Sequence, residues 1–283
     1  MNLALPRAEF APTRSPAIAL TGGHSGAEVL LYTDDSDTWV RKSAAASAGN
    51  ARLLRQALKQ RLFAAQGLPF PHVRELGFDA ARRAWFEMDY VPARTLGDLV
   101  RSQVAFDRGI VIRAVDELLA KFRLTATKPL PAELFLAKIA EIGRFSHDAS
   151  LHRAAARLSA MDWSGIPASA SHGDLTFENI LVAPDGSVVF IDCDEPFASS
   201  WHLDLGKLFQ DAAGHWCIRT APSIGAAEKL AHWARDFGAL APECNARLAQ
   251  FAALHLLRTV PYARSDDTAS FAVRAALRLL ELD

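Results

Sequence analysis

The chain has 283 residues, of which 50% are hydrophobic and 22% are charged. This length and composition predict one or two globular domains with enough apolar material for a sizeable core. The formal net charge of -1 at pH 7 supplies no basic excess to neutralise a nucleic-acid backbone, so a nucleic acid is not expected as the main partner.

Cysteine usage and hydropathy bear on the compartment of the protein. The three cysteines, Cys193, Cys217 and Cys244, form no CxxC pair and are expected to be free thiols in a reducing compartment. Residues 1–16 are predicted to form a loose leader, which lacks the apolar core of a signal peptide. No stretch approaches the roughly 18 uncharged apolar residues of a membrane span. The sequence therefore predicts a cytoplasmic protein without a membrane partner, and it leaves the oligomeric state open.

Residues 17–91 carry the pattern of a small antiparallel sheet with one helix. Apolar runs separated by a Gly/Ser-rich loop, an acidic turn and further turn residues indicate strands. Apolar residues at helical spacing predict a helix over 50–66, which stops before Gly67. The five strands are predicted at 17–20, 29–32, 38–40, 73–78 and 85–91.

Helical patterns dominate the rest of the chain. The helices are predicted at 106–125, 131–147, 151–161, 203–213, 226–237, 244–259 and 268–282. A single hairpin interrupts them, because apolar runs at 180–182 and 188–191 flank the turn signal P-D-G. A small strand-rich lobe at 17–91 and a larger helical lobe at 92–283 are therefore expected, with a hinge at 92–95.

The residues suited to chemistry lie around this hairpin. His172 and Asp174 precede its first strand. Asn179 lies directly before that strand, and Asp192 follows the second one. One carboxylate in such a cleft can accept or orient a proton, while a second carboxylate and a carboxamide oxygen can hold Mg²⁺, which prefers oxygen ligands. Such a set suits phosphoryl transfer, which needs positioning and charge neutralisation rather than a covalent intermediate.

The string H-G-D-L-T-F-E-N-I-L at 172–181, followed by V-F-I-D-C-D at 189–194, resembles the catalytic segments of the aminoglycoside phosphotransferase and choline kinase family. The resemblance extends from about residue 17 to beyond residue 208. It implies an α+β, protein-kinase-like fold of two lobes, with a small antiparallel-sheet N-lobe and a larger helical C-lobe.

The resemblance also implies roles for single residues of the C-terminal part. Asp174 matches the catalytic aspartate, which accepts or orients the proton of the substrate hydroxyl. Asn179 and Asp192 match the two magnesium ligands. His172 matches a structural histidine that braces the loop, and Asp204 matches an aspartate at the start of the next helix with the same bracing role.

A nucleotide site in the N-lobe is implied in the same way. The loop that covers the phosphates matches Gly22, Gly23, Ser25 and Gly26. Lys42 matches the lysine that pairs with the phosphates, and the backbone of Asp89 and Val91 falls in the linker that binds a purine edge. The implied co-substrate is ATP or GTP with Mg²⁺, and the implied acceptor is a hydroxyl group of an aminoglycoside-, choline- or sugar-like small molecule.

One departure from kinases concerns how Lys42 is held. Kinases pair this lysine with a glutamate of the following helix, but the helix predicted here has no Asp or Glu. Gln56, with Gln60 as the other candidate, is expected to orient Lys42 through a hydrogen bond instead. Arg41 lies on the opposite face of the strand and is predicted to be at the surface.

The predicted function is therefore that of a small-molecule kinase, with two alternatives. The missing helix acid would fit a non-catalytic nucleotide-binding pseudokinase. A metal-dependent hydrolase would instead use His172, Asp174, Asp192 and Asp194 as metal ligands. The acceptor is not readable from the sequence, because the acidic residues of the helical part fit solvated helix faces as well as a cationic substrate. These acids are Asp116, Glu117, Glu133, Glu141 and Asp148.

Overall fold

The computed structural model describes residues 18–20, 27–145 and 148–281. The predicted leader and the Gly/Ser-rich loop at 21–26 lie outside the described residues. The chain divides into two compact units. The smaller unit comprises the described residues up to Ala93 together with Val189–Glu195, and the larger unit comprises those of Arg94–Val188 and Pro196–Asp283.

The smaller unit is built on an antiparallel sheet, as the sequence pattern predicts. An acidic turn joins its second and third strands, because the Asp34 carboxylate accepts hydrogen bonds from the backbone N–H groups of Ser36 and Asp37, both at 2.9 Å. The strand order is β1-β2-β3-β5-β4. The strands are β1 (Ile18–Ala19), β2 (Glu28–Thr33), β3 (Thr38–Ser43), β4 (Val73–Phe78) and β5 (Ala84–Asp89).

Helix α1 (Asn50–Ala65) covers one face of this sheet and packs against β4 and β5. Its buried residues Leu53 and Ala57 join Phe86 in the core of the unit. Burying each large apolar side chain stabilises the fold by about 1.5–3 kcal/mol before entropy is counted. The helix stops before Gly67, whose φ of +74° is a conformation that suits glycine.

The segment Val189–Glu195 completes the smaller unit from a distant part of the chain. The backbone N–H of Phe190 donates to the carbonyl oxygen of Pro69 at 2.8 Å, and the Phe190 ring lies 5.9 Å from that of Phe70. Cys193 is buried, with its Sγ 3.7 Å from the carbonyl oxygen of Gln56. These contacts fix the backbone on both sides of Asp192.

Arg41 corrects the prediction of a surface residue. Its side chain is only 18% exposed, because its guanidinium lies 4.3 Å from the ring of Trp85 and pairs with the buried carboxylate of Glu87 at 2.7 Å. Trp39 donates to the same carboxylate at 2.9 Å. Bulky cross-strand neighbours thus cover this face of the sheet.

The larger unit is mainly helical. A short three-stranded sheet in the order β6-β7-β8 interrupts the helices, and β8 runs on into the smaller unit. Its elements are β6 (Arg94–Thr95), α2 (Leu96–Arg101), α3 (Arg108–Arg123), α4 (Ala132–Gly143), α5 (Ala149–Ser159), β7 (Ile180–Val182), β8 (Val188–Phe190), α6 (Trp201–Ala212), α7 (Ile224–Leu240), α8 (Leu248–Thr259) and α9 (Asp266–Glu281).

Two of these elements differ from the sequence prediction. Helix α2 was not predicted: it has six residues, includes Gly97 and directly follows residues 92–95, so it offers too little periodic pattern to be recognised. The helix predicted at 244–259 starts later, as α8, after a 3₁₀ segment at Pro242–Arg247.

Helices α6, α8 and α9 form the centre of the larger unit. Every residue from Gln250 to Leu257 of α8 is buried. Gly206 of α6 allows a close approach, since a Cβ atom there would lie 2.5 Å from the Cβ of Phe251. One turn away, Nε2 of buried His255 lies 2.9 Å from the carbonyl oxygen of Leu203. Burial holds the pKa of His255 well below its ordinary value, so the ring is neutral and donates this bond.

In the described part of the chain, no helix has both the length and the apolar character needed to cross a bilayer.

Candidate active site

The loop His172–Asn179 carries three of the predicted site residues of the larger unit. It begins with a sharp change of direction at Gly173, whose φ of +92° is one that residues with side chains rarely adopt. The backbone N–H of Thr176 then donates to the carbonyl oxygen of Asp174 at 2.8 Å. A 3₁₀ turn over Phe177–Asn179 leads into β7. The chain thus presents Asp174 at the tip of a tight turn.

Asp204, near the start of α6, holds the beginning of this loop. Its side chain is buried and accepts the backbone N–H of His172 at 2.5 Å and that of Gly173 at 2.8 Å. Buried donors left without partners would each cost about 1–3 kcal/mol. Asp204 therefore satisfies two backbone groups that the turn exposes.

Asp211 holds the other end of the loop and was missed by the sequence analysis. Its Oδ2 accepts the backbone N–H of Phe177 at 2.7 Å. The side chain is 1% exposed, and this burial raises the pKa of its carboxyl to about 7. Its position seven residues after Asp204 places both carboxylates on one face of α6, which is the sequence signal that could have found it.

Lys207 lies between these two acids on the same helix face and was also missed. Its Nζ is 3.0 Å from Oδ1 of Asp174, and its side chain is 12% exposed. Positions 204, 207 and 211 follow the helical spacing i, i+3, i+7. One face of α6 thus contacts the start, the tip and the end of the loop.

Asp174 is held through both of its carboxylate oxygens. Oδ1 pairs with Lys207, and Oδ2 accepts a hydrogen bond from Nδ2 of Asn179 at 3.1 Å. Desolvation raises the pKa of this carboxyl, but the charge and hydrogen bond of Lys207, with smaller electrostatic contributions from His172 and Arg258, outweigh it and hold the pKa below its ordinary value. The carboxylate is therefore ionised at neutral pH and fixed in orientation.

Asn179 and His172 are oriented by the same loop. Asn179 Nδ2 also donates to the carbonyl oxygen of Asp174 at 2.7 Å, so its amide nitrogen faces the loop and its Oδ1 is the atom left for another partner. His172 is fully buried, and its Nδ1 lies 3.3 Å from the backbone nitrogen of Asp174. The structure therefore brings His172, Asp174, Asn179 and Asp204 together in the larger unit.

Lys42 and Asp192 lie together in the smaller unit. The Lys42 side chain is 5% exposed and pairs with Oδ1 of Asp192. Asp192 adopts a φ of +59°, a left-handed conformation that Asp tolerates better than most residues with side chains. Gln56 is buried nearby in α1, but within the described residues its side chain makes no hydrogen bond to Lys42. Asp192 thus takes the position expected for Gln56.

Helix α1 holds the residues that follow Asp192 through positive charges. Arg52 binds both carboxylate oxygens of Asp194, with Nε at 3.2 and 3.1 Å. Arg55 pairs with Glu195 at 2.6 Å, and Lys59 donates to the backbone carbonyl of Asp194. Helix α1, which has no acidic residues, therefore contacts this segment through basic side chains. In kinases, the corresponding helix instead supplies a glutamate to the lysine.

The predicted purine linker lies at the end of β5. The backbone N–H of Asp89 already donates to the carbonyl oxygen of His72 at 3.0 Å, and its carboxylate pairs with Arg74 at 2.6 Å. A purine edge would therefore have to use the carbonyl of Asp89 or the backbone of Val91. The predicted phosphate loop, Gly22, Gly23, Ser25 and Gly26, lies outside the described residues.

Several acidic residues that could have bound a cationic substrate already have partners within the protein. Asp116 lies 3.7 Å from Arg123, and Glu141 pairs with Lys138 at 2.5 Å. Asp148 caps α5 by accepting the backbone N–H of Leu151 at 2.8 Å. Their placement matches structural roles on helix surfaces.

The hydrolase alternative required a cluster of metal ligands. Over the residues that the structure describes, no three His, Cys, Asp or Glu side chains form a group that could hold a metal ion. Asp194, one of the four ligands in that alternative, pairs with Arg52.

Comparison with known proteins agrees with the resemblance seen in the sequence. A model of the phosphotransferase enzyme family (APH) matches residues 17–242. Among solved structures, the chain is similar to a thermostable mutant of aminoglycoside phosphotransferase APH(4)-Ia in a ternary complex with ADP and hygromycin B. The TM-score is 0.66 at 17% identity, and 94% of each chain is covered.

Two further structures show the same similarity. Choline kinase LicA from Streptococcus pneumoniae has a TM-score of 0.59 at 13% identity, with 95% of this chain and 94% of that chain covered. An aminoglycoside-3'-phosphotransferase of type VIII has a TM-score of 0.54 at 20% identity, with 94% and 92% covered. No curated protein matches the chain. These similarities confirm the predicted α+β, protein-kinase-like fold.

Proposed function

This chain belongs to the phosphotransferase enzyme family, and on that premise we propose that it transfers the γ-phosphoryl group of a magnesium-bound ATP or GTP to a hydroxyl group of a small molecule. The family makes it a small-molecule phosphotransferase with a hydroxyl acceptor. The observation that carries the rest is the fixed carboxylate of Asp174, which Lys207 and Asn179 hold from its two oxygens.

Asp174 is proposed as the group that acts on the acceptor. The acceptor oxygen attacks the γ-phosphorus, the bond from that phosphorus to the β–γ bridging oxygen breaks, and Asp174 accepts the hydroxyl proton. An ionised carboxylate at the tip of a rigid turn suits this role, because it can orient the hydroxyl before the proton moves. His172 and Asp204 are proposed to keep the turn in place and not to touch substrate.

Asn179 and Asp192 are proposed to hold magnesium. Their donor set fits, because a carboxamide oxygen and a carboxylate oxygen are the hard ligands that Mg²⁺ prefers. The contact of Asn179 Nδ2 with Asp174 leaves the amide oxygen as the donor atom, as a metal ligand requires. When bound, the ion would supply positive charge to the nucleotide phosphates.

The smaller unit is proposed to bind the nucleotide. Lys42, nearly buried in β3, would pair with phosphate oxygens, and the loop of Gly22, Gly23, Ser25 and Gly26 would approach them through backbone N–H groups. Asp89 and Val91 would bind the purine edge through the backbone. Pairing with Asp192 gives Lys42 a carboxylate partner in place of a helix glutamate, which supports the kinase proposal over the pseudokinase alternative.

The acceptor class stays the open part of the proposal. The solved structures named above include an enzyme bound to hygromycin B and a choline kinase, so cationic acceptors belong in any screen. Because Asp116, Glu141 and Asp148 already have partners, neutral sugars belong there as well. We also propose a cytoplasmic location, in line with the free and buried cysteines.

The proposal is tested by incubating the full chain with Mg²⁺ and labelled ATP or GTP, together with a panel of aminoglycosides, choline-like alcohols and sugars. Transfer of the γ-phosphate to at least one acceptor is expected. Asp174→Asn should bind nucleotide as the wild type does and lose transfer by about 10²–10⁴-fold. Asp116→Asn, the same change at an exposed acid of α3, should keep full activity. Absence of both transfer and magnesium-dependent nucleotide binding in the wild type would contradict the proposal.

A further inference from the structure

Lys207 holds one oxygen of the Asp174 carboxylate, but no part in the transfer itself has been assigned to it so far. The loop His172–Asn179 contains no Lys or Arg, so any cation beside Asp174 must come from another element. In the larger unit, α6 supplies this cation: Lys207 Nζ lies 3.0 Å from Oδ1 of Asp174. The contact between Lys207 and Asp174 therefore depends on the placement of α6 beside the loop and is not encoded in the loop sequence itself.

The helix presents Lys207 from a rigid position. Gly206, its neighbour, lies against Phe251 of α8 with no room for a Cβ atom, and His255 of α8 bonds to the carbonyl oxygen of Leu203. Asp204, one turn earlier, is bonded to the loop itself. The distance between the Lys207 backbone and the loop is thus set by packed helices.

The Asp174 carboxylate would otherwise be free to rotate, because the second side-chain torsion of aspartate is broad and roughly two-fold. Lys207 on Oδ1 and Asn179 on Oδ2 select one orientation. The ammonium also offsets the negative charge of Asp174, which would otherwise repel an approaching triphosphate. With a side chain only 12% exposed, Lys207 acts in a less screened environment than a surface lysine does.

We propose that Lys207 is a positioning residue for phosphoryl transfer, which acts by fixing the orientation and offsetting the charge of the Asp174 carboxylate. This inference rests on the proposed function. A purely structural ion pair between Lys207 and the partly exposed Asp174 carboxylate is the competing explanation. The two explanations differ in whether the effect of Lys207 passes through Asp174.

The test compares Lys207→Met, which keeps the length and apolar stem but removes the charge, with Lys207→Arg, which keeps the charge. With the best acceptor of the panel, K207M should lower kcat by about 10²–10³-fold, while nucleotide affinity changes less than about threefold. K207R should recover at least tenfold of that loss. Lys121→Met, at an exposed position of α3, is the matched control and should behave as the wild type does.

A double-mutant cycle separates positioning from structure. In the D174N background, K207M should change the residual rate by less than about threefold, because the group through which Lys207 acts is gone. The urea midpoint of K207M should match that of the wild type. Multiplicative losses in the double mutant, or a lowered urea midpoint together with lost nucleotide binding, would instead identify a structural ion pair and overturn the proposal.

The outcomes also separate this inference from the proposed function. A wild-type chain that transfers phosphate, with K207M equally active, overturns the role of Lys207 alone. A wild-type chain that transfers phosphate to no acceptor overturns the proposed function, and the role of Lys207 falls with it.

Discussion

Two helices hold the two segments that carry the proposed active-site residues, and they do so in different ways. In the smaller unit, α1 contacts the residues after Asp192 through ion pairs in which the Arg52 and Arg55 side chains are 54% and 50% exposed. In the larger unit, α6 contacts the loop His172–Asn179 through Asp204 and Asp211, each 1% exposed.

The difference teaches how firmly each segment is held. Exposed ion pairs contribute about 0–1 kcal/mol, because water solvates the separated charges well and salt screens their attraction. Buried carboxylates bonded to backbone N–H groups are costly to remove, since the buried donors would be left without a hydrogen-bond acceptor. The loop that carries Asp174 is therefore held firmly by α6, whereas the charged residues after Asp192 gain little stability from their ion pairs with α1.

The sharpest way to break this comparison is Asp204→Ala. It removes the acceptor of two backbone N–H groups, those of His172 and Gly173, and should lower the free energy of unfolding by about 4 kcal/mol. Urea denaturation measures this loss. Asp204→Asn keeps one acceptor oxygen and should lose about half as much, while Asp116→Ala on exposed α3 should lose almost nothing. A D204A protein as stable as the wild type would show that the loop does not depend on α6.

Gly206→Ala tests whether α6 is itself fixed by α8. The added methyl group would meet the Cβ of Phe251, a backbone-anchored atom that cannot swing away, so the helices must separate. A loss of about 3 kcal/mol is expected, at the upper end for overpacking. Gly225→Ala, in the first turn of α7 and facing the flexible end of Gln103, is the control and should cost little. Unchanged stability of G206A would mean that α8 yields easily.

Asp211 makes the stability that α6 gives to the loop His172–Asn179 dependent on pH. The unfolded chain loses this proton near pH 3.8, whereas the folded state keeps it up to about pH 7. The folded state therefore binds the extra proton between these values, and its stability falls as the pH rises through that range. Asp211→Asn cannot ionise and should lack this fall.

The stability of D211N relative to the wild type should accordingly improve by about 2 kcal/mol between pH 5 and pH 7. Urea denaturation at pH 5, 6, 7 and 8 checks the sign. A relative stability of D211N that falls with rising pH would show that the charged carboxylate is the favoured form in the folded protein.

Arg52→Ala gives the smallest expected effect. Its ion pair with Asp194 is more than half exposed on the arginine side, so its loss should lower stability by less than about 1 kcal/mol. The difference from the wild type should shrink further in 0.5 M salt, because screening weakens the native pair. A large, salt-independent loss would place this segment in the same rigid class as the loop.

The parts of the molecule that could be predicted are those encoded locally. The strands, helix α1 and the hairpin follow from apolar spacing and turn residues within short windows. The proposed roles of Asp174, Asn179 and Asp192 follow from two short motifs with a fixed spacing between them. Helix α2 could not be predicted from apolar spacing, because its six residues do not complete two helical turns.

What could not be predicted depends on partners far away in the chain. Lys207 and Asp211 look like ordinary residues of an amphipathic helix until α6 is placed beside the loop. Arg41 is covered because Trp85 and Glu87 lie on the neighbouring strand, more than forty residues later. Pairing of Lys42 with Asp192 likewise joins residues that are 150 positions apart.

The composition of the smaller unit has a consequence for its synthesis. Its sheet and helix are encoded before Ala93, but the segment that supplies Phe190 to Phe70 and Asp192 to Lys42 ends at Glu195. At about 5–20 residues per second, the ribosome needs ~5–20 s to reach it. During that interval the nascent sheet leaves the nearly buried Lys42 ammonium without its counter-charge, so this unit cannot finish folding before the chain has passed Glu195, although its sheet and helix are complete by Ala93.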